Sequence, residues 1–346
     1  MARRLADGVL VDPYGGQEDL GRRVLRTVSK TSFAEDPLRL VRGLRFVSQL
    51  DVEPDVETVR QMRAEADGVR LVSGERIGGG LAADGLGELS KLLLGRRPAK
   101  ALRLARDTGV LVALLPELEP SIGFDQESAY HGLTVDEHTF AVVQATADAG
   151  FPLRIRLAAL FHDAGKPLVA WRGRDGRLHY YARPGHSERS HEQVSAELAG
   201  EALARLRYPT DLRRRVLQIV RHHMLTPRGD EARARRLLAR YGDELTFDLL
   251  DHKQADLLGK RAPDEPTPAD QLSQLDAFRK VVEKERSSPH RLRDLAVSGT
   301  DLIELGYTPG PALGQVLRTL LNEVVERPSR NTRATLLARA EELRPT

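Results

Sequence analysis

A helix that ends in two metal-binding side chains is the feature that most restricts how this chain can fold. Residues 153–161 are mostly apolar, and His162 and Asp163 follow them directly. Gly165 and Pro167 then predict that the helix stops here, because glycine favours helix ends and proline does not continue a helix. Imidazole and carboxylate groups are good ligands for divalent metal ions. The pattern therefore indicates a helix end at which a substrate can reach a metal ion.

Two other segments each place a histidine in the first turns of a helix. Residues 134–137 read Thr-Val-Asp-Glu, and residues 190–193 read Ser-His-Glu-Gln. Both match the capping box, in which paired polar side chains satisfy the free amides at a helix start. His138 and His191 are therefore predicted near the beginnings of two helices. Taken singly, each is more simply explained as a surface or core histidine with ordinary hydrogen-bond partners.

Two later helices carry the remaining candidates. The helix predicted over residues 212–224 ends in His222 and His223. In the helix predicted over residues 244–260, one stripe contains Leu245, Leu249, His252 and Asp256. An aspartate on a buried stripe is costly unless it is paired, protonated or bound to a metal ion. A metal ligand is the simplest explanation for Asp256, and an arginine partner is the alternative.

The chain contains no cysteine, so a metal site has to use histidine and carboxylate ligands. The order of the candidates along consecutive helices favours one shared site over separate histidines: His138, His162, Asp163, His191, His222, His223 and Asp256. We expect one or two divalent ions. The sequence does not distinguish among Ni, Mn, Fe, Co, Mg and Zn.

A basic helix is predicted nearer the N-terminus. Residues 35–39, Glu-Asp-Pro-Leu-Arg, form a favourable helix start. Arg39, Arg42 and Arg45 follow at every third position, so they share one face, which is either a nucleic-acid contact or a solvated surface. The net charge of +3 and the pI of about 9.2 favour polyanionic partners such as RNA or nucleotides. Arginine usage set by a GC-rich genome explains the composition equally well.

Helical patterns dominate the chain, and the predicted fold class is all-α. Five glycines within residues 78–87 exclude a stable helix interior there. A short strand is predicted within residues 9–11, and Asp175-Gly176 predicts a hairpin. No apolar run reaches membrane-spanning length, and the N-terminus lacks the apolar core of a signal peptide. We therefore expect a cytoplasmic protein with no membrane partner.

The order of His138, His162-Asp163 and Asp256, with Lys166 after the pair, resembles the HD superfamily of metal-dependent phosphohydrolases. That superfamily is all-α, so the resemblance implies a helical bundle around the site. It also implies that His138, His162, Asp163 and Asp256 hold a first metal ion.

The same resemblance leaves a choice of ligands for a second metal ion: His191 with His222 or His223, and Asp163 as a bridge. Asp163 would also orient the attacking water, while Lys166 and Arg183 would offset charge on the phosphoryl oxygens. The resemblance implies phosphatase and 2′,3′-cyclic phosphodiesterase activities, which some family members with this domain show.

The flanking sequence is similar to bacterial tRNA nucleotidyltransferases and poly(A) polymerases. Residues 11–16 and 35–39 resemble the neck of those enzymes, and residues 298–302 and 306–314 resemble their RNA-binding tail. The resemblance implies four regions: a remnant after a missing head over residues 1–25, a helical neck and body over 26–122, an HD domain over 123–265 and a helical tail over 266–346.

Two departures from that family affect function. Its catalytic head carries an Asp-x-Asp in a glycine-rich setting, and this sequence contains no such motif. Residues 78–87 also stand as an insertion before Glu88. Asp36 and Arg39 match the family residues that select the incoming base, but we expect no nucleotide addition without the head. A separate head subunit is a possible partner.

The resulting hypothesis is a metal-dependent phosphohydrolase that acts on a nucleotide or on a tRNA-like RNA end. The first alternative is the RNA-binding portion of a split or truncated CCA-adding enzyme, gripping RNA through Asp36, Arg39, Arg42 and Arg45 without independent catalysis. A purely structural helical scaffold is the second alternative, and it leaves Asp256 unexplained. The sequence does not indicate an oligomeric state.

Overall fold

The structure of the protein, a computed structural model, describes residues 1–4, 6–79, 85–127, 132–260 and 269–344. The chain divides into two compact units: Met1–Met224 with Asp251–Pro268, and Leu225–Leu250 with Ala269–Thr346. Helices dominate both units, and every strand in the described residues is only two residues long. The predicted all-α fold is therefore confirmed. The boundaries at residues 25, 122 and 265 stay predictions.

The described N-terminal residues of the first unit form seven α-helices: α1 (Gly16–Gly21), α2 (Ser32–Glu35), α3 (Leu38–Leu50), α4 (Val56–Glu65), α5 (Glu88–Leu93), α6 (Pro98–Asp107) and α7 (Val110–Leu114). Helix α3 begins where the Asp36 carboxylate accepts the Leu38 amide at 3.2 Å. Its apolar face, formed by Leu40, Leu44 and Val47, is completely buried. The predicted basic helix therefore exists, and packing of one face holds it in place.

Short strand pairs connect these helices. β1 (Ala2–Arg3) pairs antiparallel with β2 (Leu10–Val11), which lies in the segment predicted as a strand. β3 (Val24–Leu25) pairs in parallel with β4 (Glu53–Pro54), on either side of α3 in the sequence. These pairs are too short to form a sheet core.

The glycine-rich segment begins in a single π-helical turn, Glu75–Gly79. Gly78 and Gly79 are required there by a close approach of backbone: a Cβ at Gly78 would lie 2.8 Å from the carbonyl oxygen of Leu206. The Gly79 amide donates to that same oxygen at 3.1 Å. The predicted insertion, residues 78–87, falls partly outside the described residues.

The rest of the first unit surrounds the candidate site. It contains α8 (Val135–Asp148), α9 (Leu153–Phe161), α10 (Lys166–Val169), α11 (His191–Arg205), α12 (Thr210–His222) and the last turns of α13 (Glu231–Gly259). β5 (Trp171–Arg172) and β6 (Leu178–His179) pair antiparallel around Asp175-Gly176, which confirms the predicted hairpin. Phe140 of α8 and Phe161 of α9 are among the largest fully buried side chains.

The second unit contains the earlier part of α13, up to residue 250, and the helices α14 (Ala269–Glu285), α15 (Gly299–Glu304), α16 (Pro311–Glu326) and α17 (Arg333–Glu342). Gly242, at φ 73°, interrupts α13 close to the predicted helix start at residue 244. The apolar core of the last three helices includes Leu302, Leu320 and Leu336. Across the described residues, no helix combines the length and the apolar character needed to cross a membrane.

One predicted cap is wrong and the other is confirmed. Ser190 and Gln193 form the capping box at the start of α11. At α8, Thr134 occupies the N-cap position, but its side chain accepts no amide of the helix start, and its hydroxyl donates to the Asp136 carboxylate at 2.6 Å. Glu137 is held by Arg103 and Arg106 rather than by the helix start. Tertiary ion pairs therefore replace the local cap.

Candidate metal centre

Five helices deliver histidine and aspartate side chains to one buried place. α8 supplies His138, the turn after α9 supplies His162 and Asp163, and α11 supplies His191. The residue after α12 is His223, and the last turns of α13 supply Asp256. All six side chains are buried, so the centre is built from packed helices rather than from mobile loops.

The first group consists of His138, His162 and Asp256. The Nε2 atoms of the two histidines lie 3.2 Å apart, and Nε2 of His138 lies 3.3 Å from Oδ1 of Asp256. An ion about 2.1 Å from each ligand separates neighbouring ligand atoms by about 3.0 to 3.4 Å. The spacing of this group therefore suits one metal ion.

The second group consists of His191, His223 and Asp163. The two Nε2 atoms lie 3.3 Å apart, and Oδ1 of Asp163 lies 3.6 Å from His191 and 3.7 Å from His223. The other oxygen of the same carboxylate, Oδ2, lies 3.2 Å from Nε2 of His162 in the first group. Asp163 therefore faces both groups, one oxygen to each.

The tautomers of the four histidines follow from their outer contacts. The Nδ1 atom of each lies close to a main-chain carbonyl: His138 to Gly259 (3.2 Å), His162 to Ala159 (2.8 Å), His191 to Tyr180 (3.3 Å) and His223 to Val220 (2.7 Å). A carbonyl only accepts, so each Nδ1 carries the proton and each neutral Nε2 presents a lone pair. Lone pairs and carboxylate oxygens thus converge in both groups, which is the donor arrangement a cation requires.

Burial keeps most of these histidines neutral. It lowers the pKa of His138 and His191 and holds the pKa of His223 well below its ordinary value. His162 differs: burial opposes its charge, but the neighbouring Asp163 carboxylate outweighs burial and raises the pKa of His162. In the second group, therefore, no proton separates the two facing lone pairs at neutral pH.

Both carboxylates are charged in the folded protein. Burial works to raise the pKa of Asp163, but His162 and Lys166 outweigh it and hold that pKa well below its ordinary value. Burial likewise opposes ionisation of Asp256, and the Lys253 ammonium is the strongest of the groups that keep its pKa low. The centre thus offers two carboxylate and four imidazole side chains, a set that fits a divalent ion.

A cavity of about 350 Å³ opens onto the centre. Its cationic lining consists of Lys166, Arg177, Lys253 and Lys260, and its apolar lining consists of Leu178, Tyr180 and Met224. This volume lies at the lower end for ligand sites, about 300 to 1,000 Å³. The combination suits a small ligand that has both a phosphate group and an apolar or aromatic part.

Of the other three residues predicted at the site, the structure brings only Lys166 into the centre. Lys166 lies in the centre, with Nζ 2.7 Å from both Asp163 and Gln126. His222 does not join either group and instead lines a groove between α11 and α12, so His223 is the histidine that the fold brings inward. Arg183 is outside the described cavity lining, since its guanidinium stacks 4.2 Å over the Trp171 ring.

The neck residues lie away from this cavity lining, and each has a partner of opposite charge. The pairs are Asp36 with Arg76 (3.5 Å), Arg39 with Glu35 (3.1 Å), Arg42 with Glu88 (3.9 Å) and Arg45 with Glu88 (3.2 Å). Any phosphate group that binds this face therefore has to compete with resident carboxylates.

Sequence reasoning missed three groups near the centre. Lys253 in α13 and Lys260 just after its end precede and follow Asp256 at helical spacing, a signal that was available in the sequence. His252 packs against the rings of both His162 and His223, and neither of its ring nitrogens has a hydrogen-bond partner in the described residues. Burial lowers the pKa of His252 to about 3, so it stays neutral.

Gly165 has a role that differs from the predicted one. The helix does end before it, but Gly165 has an ordinary right-handed conformation (φ −80°) and not the left-handed one of a helix cap. A Cβ at this position would lie 2.6 Å from the carbonyl oxygen of His191 and 2.7 Å from the Ser195 amide. Glycine is therefore needed because α11 packs directly against the turn that carries His162 and Asp163.

We predict that Gly165→Ala lowers the free energy of unfolding by about 3 kcal/mol, the upper range for overpacking, and weakens metal binding by displacing His191. Urea denaturation and metal titration measure both effects. Gly21→Ala is the control, since a Cβ at Gly21 meets no atom within 4 Å and the φ angle is not left-handed. A Gly165 variant as stable as the wild type would contradict the close-packing explanation.

Comparison with known proteins gives two family matches. A model of the HD domain matches residues 135–274. A model described as a probable RNA and SrmB-binding site of polymerase A matches residues 51–122.

Individual relatives extend over more of the chain. An A-adding tRNA nucleotidyltransferase of Deinococcus radiodurans is 35% identical over 323 residues, which are 90% of this chain and 69% of that protein. A Multifunctional CCA protein of Ralstonia nicotianae is 36% identical over 239 residues, which are 66% of this chain. The match spans only 51% of that relative, about half of its length.

The fold also has a solved counterpart. The crystal structure of the Bacillus stearothermophilus CCA-adding enzyme in complex with CTP superimposes with a TM-score of 0.59 at 22% identity. The superposition covers 97% of this chain and 70% of that one. At this identity the likeness shows a shared fold.

Proposed function

This chain belongs to the family of bacterial tRNA nucleotidyltransferases, and on that premise we propose that its buried centre is the active site of a metal-dependent phosphohydrolase. The substrate class would be a nucleotide or an RNA end. One observation carries the proposal: Nε2 lone pairs of His191 and His223 face each other at 3.3 Å beside the charged Asp163. A divalent cation resolves that repulsion.

The residues would divide the work as follows. His138, His162 and Asp256 would hold one ion, and His191, His223 and Asp163 would hold a second, with Asp163 in reach of both. Such an ion supplies Lewis-acid polarisation of a phosphoryl oxygen and lowers the pKa of water.

Two side chains of the centre would act on the reacting groups. Asp163 would orient the attacking water and accept its proton. Lys166 would hold Asp163 in place through its 2.7 Å contact and offset negative charge on the phosphate. Arg183 has no geometric support for the role expected from the sequence, because it stacks on Trp171.

Metal analysis of the purified protein, together with a phosphatase and cyclic phosphodiesterase screen on nucleotides, tests this proposal. We expect one or two divalent ions per chain, and hydrolysis that a chelator removes and added metal restores. A protein that binds none of Mn, Fe, Co, Ni, Zn or Mg and hydrolyses no phosphate ester with any of them would contradict it.

A second function is supported by the match of residues 51–122 to an RNA-binding model. In this proposal the neck grips tRNA-like RNA, with Arg39, Arg42 and Arg45 near the phosphates and Asp36 near a base. The two functions are compatible, since the neck residues are not among those that line the cavity. A cytoplasmic location and a separate head subunit as partner belong to the same proposal.

Salt-dependent RNA binding tests the second function. Arg42 is the best-placed neck arginine for a phosphate, because it is half-exposed and its carboxylate contact, at 3.9 Å, is weak. We predict that Arg42→Ala weakens tRNA binding and reduces the slope of log affinity against log salt by about 1. Arg214→Ala is the control, since Arg214 is exposed, pairs with Asp211 at 2.9 Å and lies outside the RNA-binding match. No RNA binding by the wild type at low salt would remove this function.

A further inference from the structure

Two lysines share the Asp256 carboxylate with the first metal-ligand group. Lys253 lies in α13, three residues before Asp256, and Lys260 directly follows the last residue of α13, four residues after Asp256. Their Nζ atoms lie 2.8 Å and 3.5 Å from Oδ2 of Asp256. The other oxygen, Oδ1, faces Nε2 of His138 at 3.3 Å. One carboxylate thus has a metal-ligand side and a lysine side.

Both lysines also line the cavity that opens onto the centre. Lys253 is 14% exposed and Lys260 is 25% exposed, so both are accessible to a ligand in that cavity. Neither has another carboxylate partner among the described residues: their ion pairs are with Asp256 alone.

The charge balance of the lining changes when metal binds. Four cationic side chains line the cavity, against the carboxylates of Glu127, Asp163 and Asp256. Glu127 is already paired with Arg172 at 2.7 Å. A divalent ion bound to Asp256 neutralises the carboxylate charge that the two lysines share. Both ammonium groups then face the cavity as uncompensated positive charge.

We propose that Lys253 and Lys260 form a phosphate-binding pair that becomes available only when a metal ion occupies the Asp256 side of the centre. The inference rests on the proposed function and adds to it an order of binding, with metal first and the phosphate group second. In the metal-free protein Asp256 occupies both ammonium groups and competes with phosphate. Once a metal ion binds Asp256, a phosphate group in the cavity can contact both the metal ion and the lysines.

The pair makes two opposite predictions for one substitution. Lys260→Met removes a charged hydrogen-bond donor for phosphate, so phosphate affinity of the metal-loaded protein falls about tenfold or more. The same substitution removes a cation that repels the metal and competes for Asp256, so Mn²⁺ affinity rises several-fold. A merely structural lysine would not move the two affinities in opposite directions.

Isothermal titration calorimetry of inorganic phosphate, with the full chain dialysed against chelator or loaded with Mn²⁺, measures the first affinity. Titration of Mn²⁺ into the chelator-treated protein measures the second. Lys100→Met is the matched control, because Lys100 is 27% exposed and pairs with Asp51 at 2.8 Å in the neck. Lys253→Met is the companion variant, and circular dichroism checks that each variant is folded. If Lys253→Met does not fold, the more exposed Lys260 variant decides.

We expect phosphate to bind the Mn²⁺-loaded wild type at least about tenfold more tightly than the metal-free protein. Equal phosphate affinity of the Lys260 variant and the wild type, both loaded, would overturn the inference and leave the metal centre intact. Equal phosphate affinity of the wild type with and without Mn²⁺ would also overturn the inference. Failure of the wild type to bind Mn²⁺ or any other divalent ion would instead remove the proposed function and the inference with it.

Discussion

Asp163→Asn should abolish metal-dependent hydrolysis while the helical fold remains. Asparagine keeps the volume of the side chain but removes the charge that faces both ligand groups, at 3.2 Å from His162 and 3.6 Å from His191. In the proposed mechanism the substitution removes a ligand of both ions and the group that orients the water, which costs several kcal/mol of transition-state stabilisation. We expect the rate to fall by about a thousandfold or more. Initial rates on the best substrate of the phosphatase screen measure this.

Two comparisons make that result interpretable. His162→Ala should lose activity to a similar degree, because His162 contributes to the first ligand group. Asp211→Asn is the control, since Asp211 is an exposed aspartate whose described ion pair is a local one with Arg214. Circular dichroism and metal content separate loss of the site from loss of the fold. Full activity in both Asp163→Asn and His162→Ala would show that the metal-centre interpretation is wrong.

The 346-residue chain should not add nucleotides to tRNA. Nucleotide addition needs two carboxylates that hold magnesium against the incoming triphosphate. The sequence contains no Asp-x-Asp motif that could supply them. The buried centre is no substitute, because four of its six ligand groups are imidazoles, which suit hydrolysis by activated water. Asp36 and Arg39 could still contact a base, and weak binding of CTP or ATP would not alter this prediction.

The measurement is incorporation of labelled CTP and ATP into tRNA that lacks its terminal nucleotides, in the presence of magnesium. The A-adding enzyme of Deinococcus radiodurans is the positive control for ATP. We expect no label above background with this chain. Label at the tRNA end that disappears after heat denaturation of the protein would contradict the prediction.

Several properties were predictable because they depend on residues close together in the sequence. The apolar run before His162 predicts a buried helix, and α9 ends at Phe161 directly before it. The stripe that ends in Asp256 predicts an inward aspartate, and Asp256 is buried beside His138. Helical periodicity is a local property, so ligand types, helix faces and the all-α class could be inferred without knowledge of the packing.

Other properties depended on which helices meet. His222 and His223 differ by about 100° around a helix axis, and only the packing of α12 against its neighbours directs His223 inward. Gly165 reads as a helix cap, yet the approach of α11 is what requires glycine there. The sequence around Thr134 predicts a side-chain cap, yet the Thr134 hydroxyl donates to the nearby Asp136 carboxylate. Each local pattern allowed two outcomes, and for His223 and Gly165 contacts with distant residues selected one.

The sequence by itself thus determined the helical class, the ligand types and the order in which the helices present them. The tertiary structure decided which candidate ligands lie close enough to share an ion, which tautomer each histidine adopts and which cations face the cavity. The physical reason is the distance along the chain over which the deciding interactions act. Helix phase and residue chemistry act over a few positions along the chain, whereas the contacts of Asp163 with His191 and His223 and of Asp256 with His138 join segments that are distant in sequence. Burial then makes those partnerships obligatory, because an unpaired charge inside the protein costs more than the fold can supply.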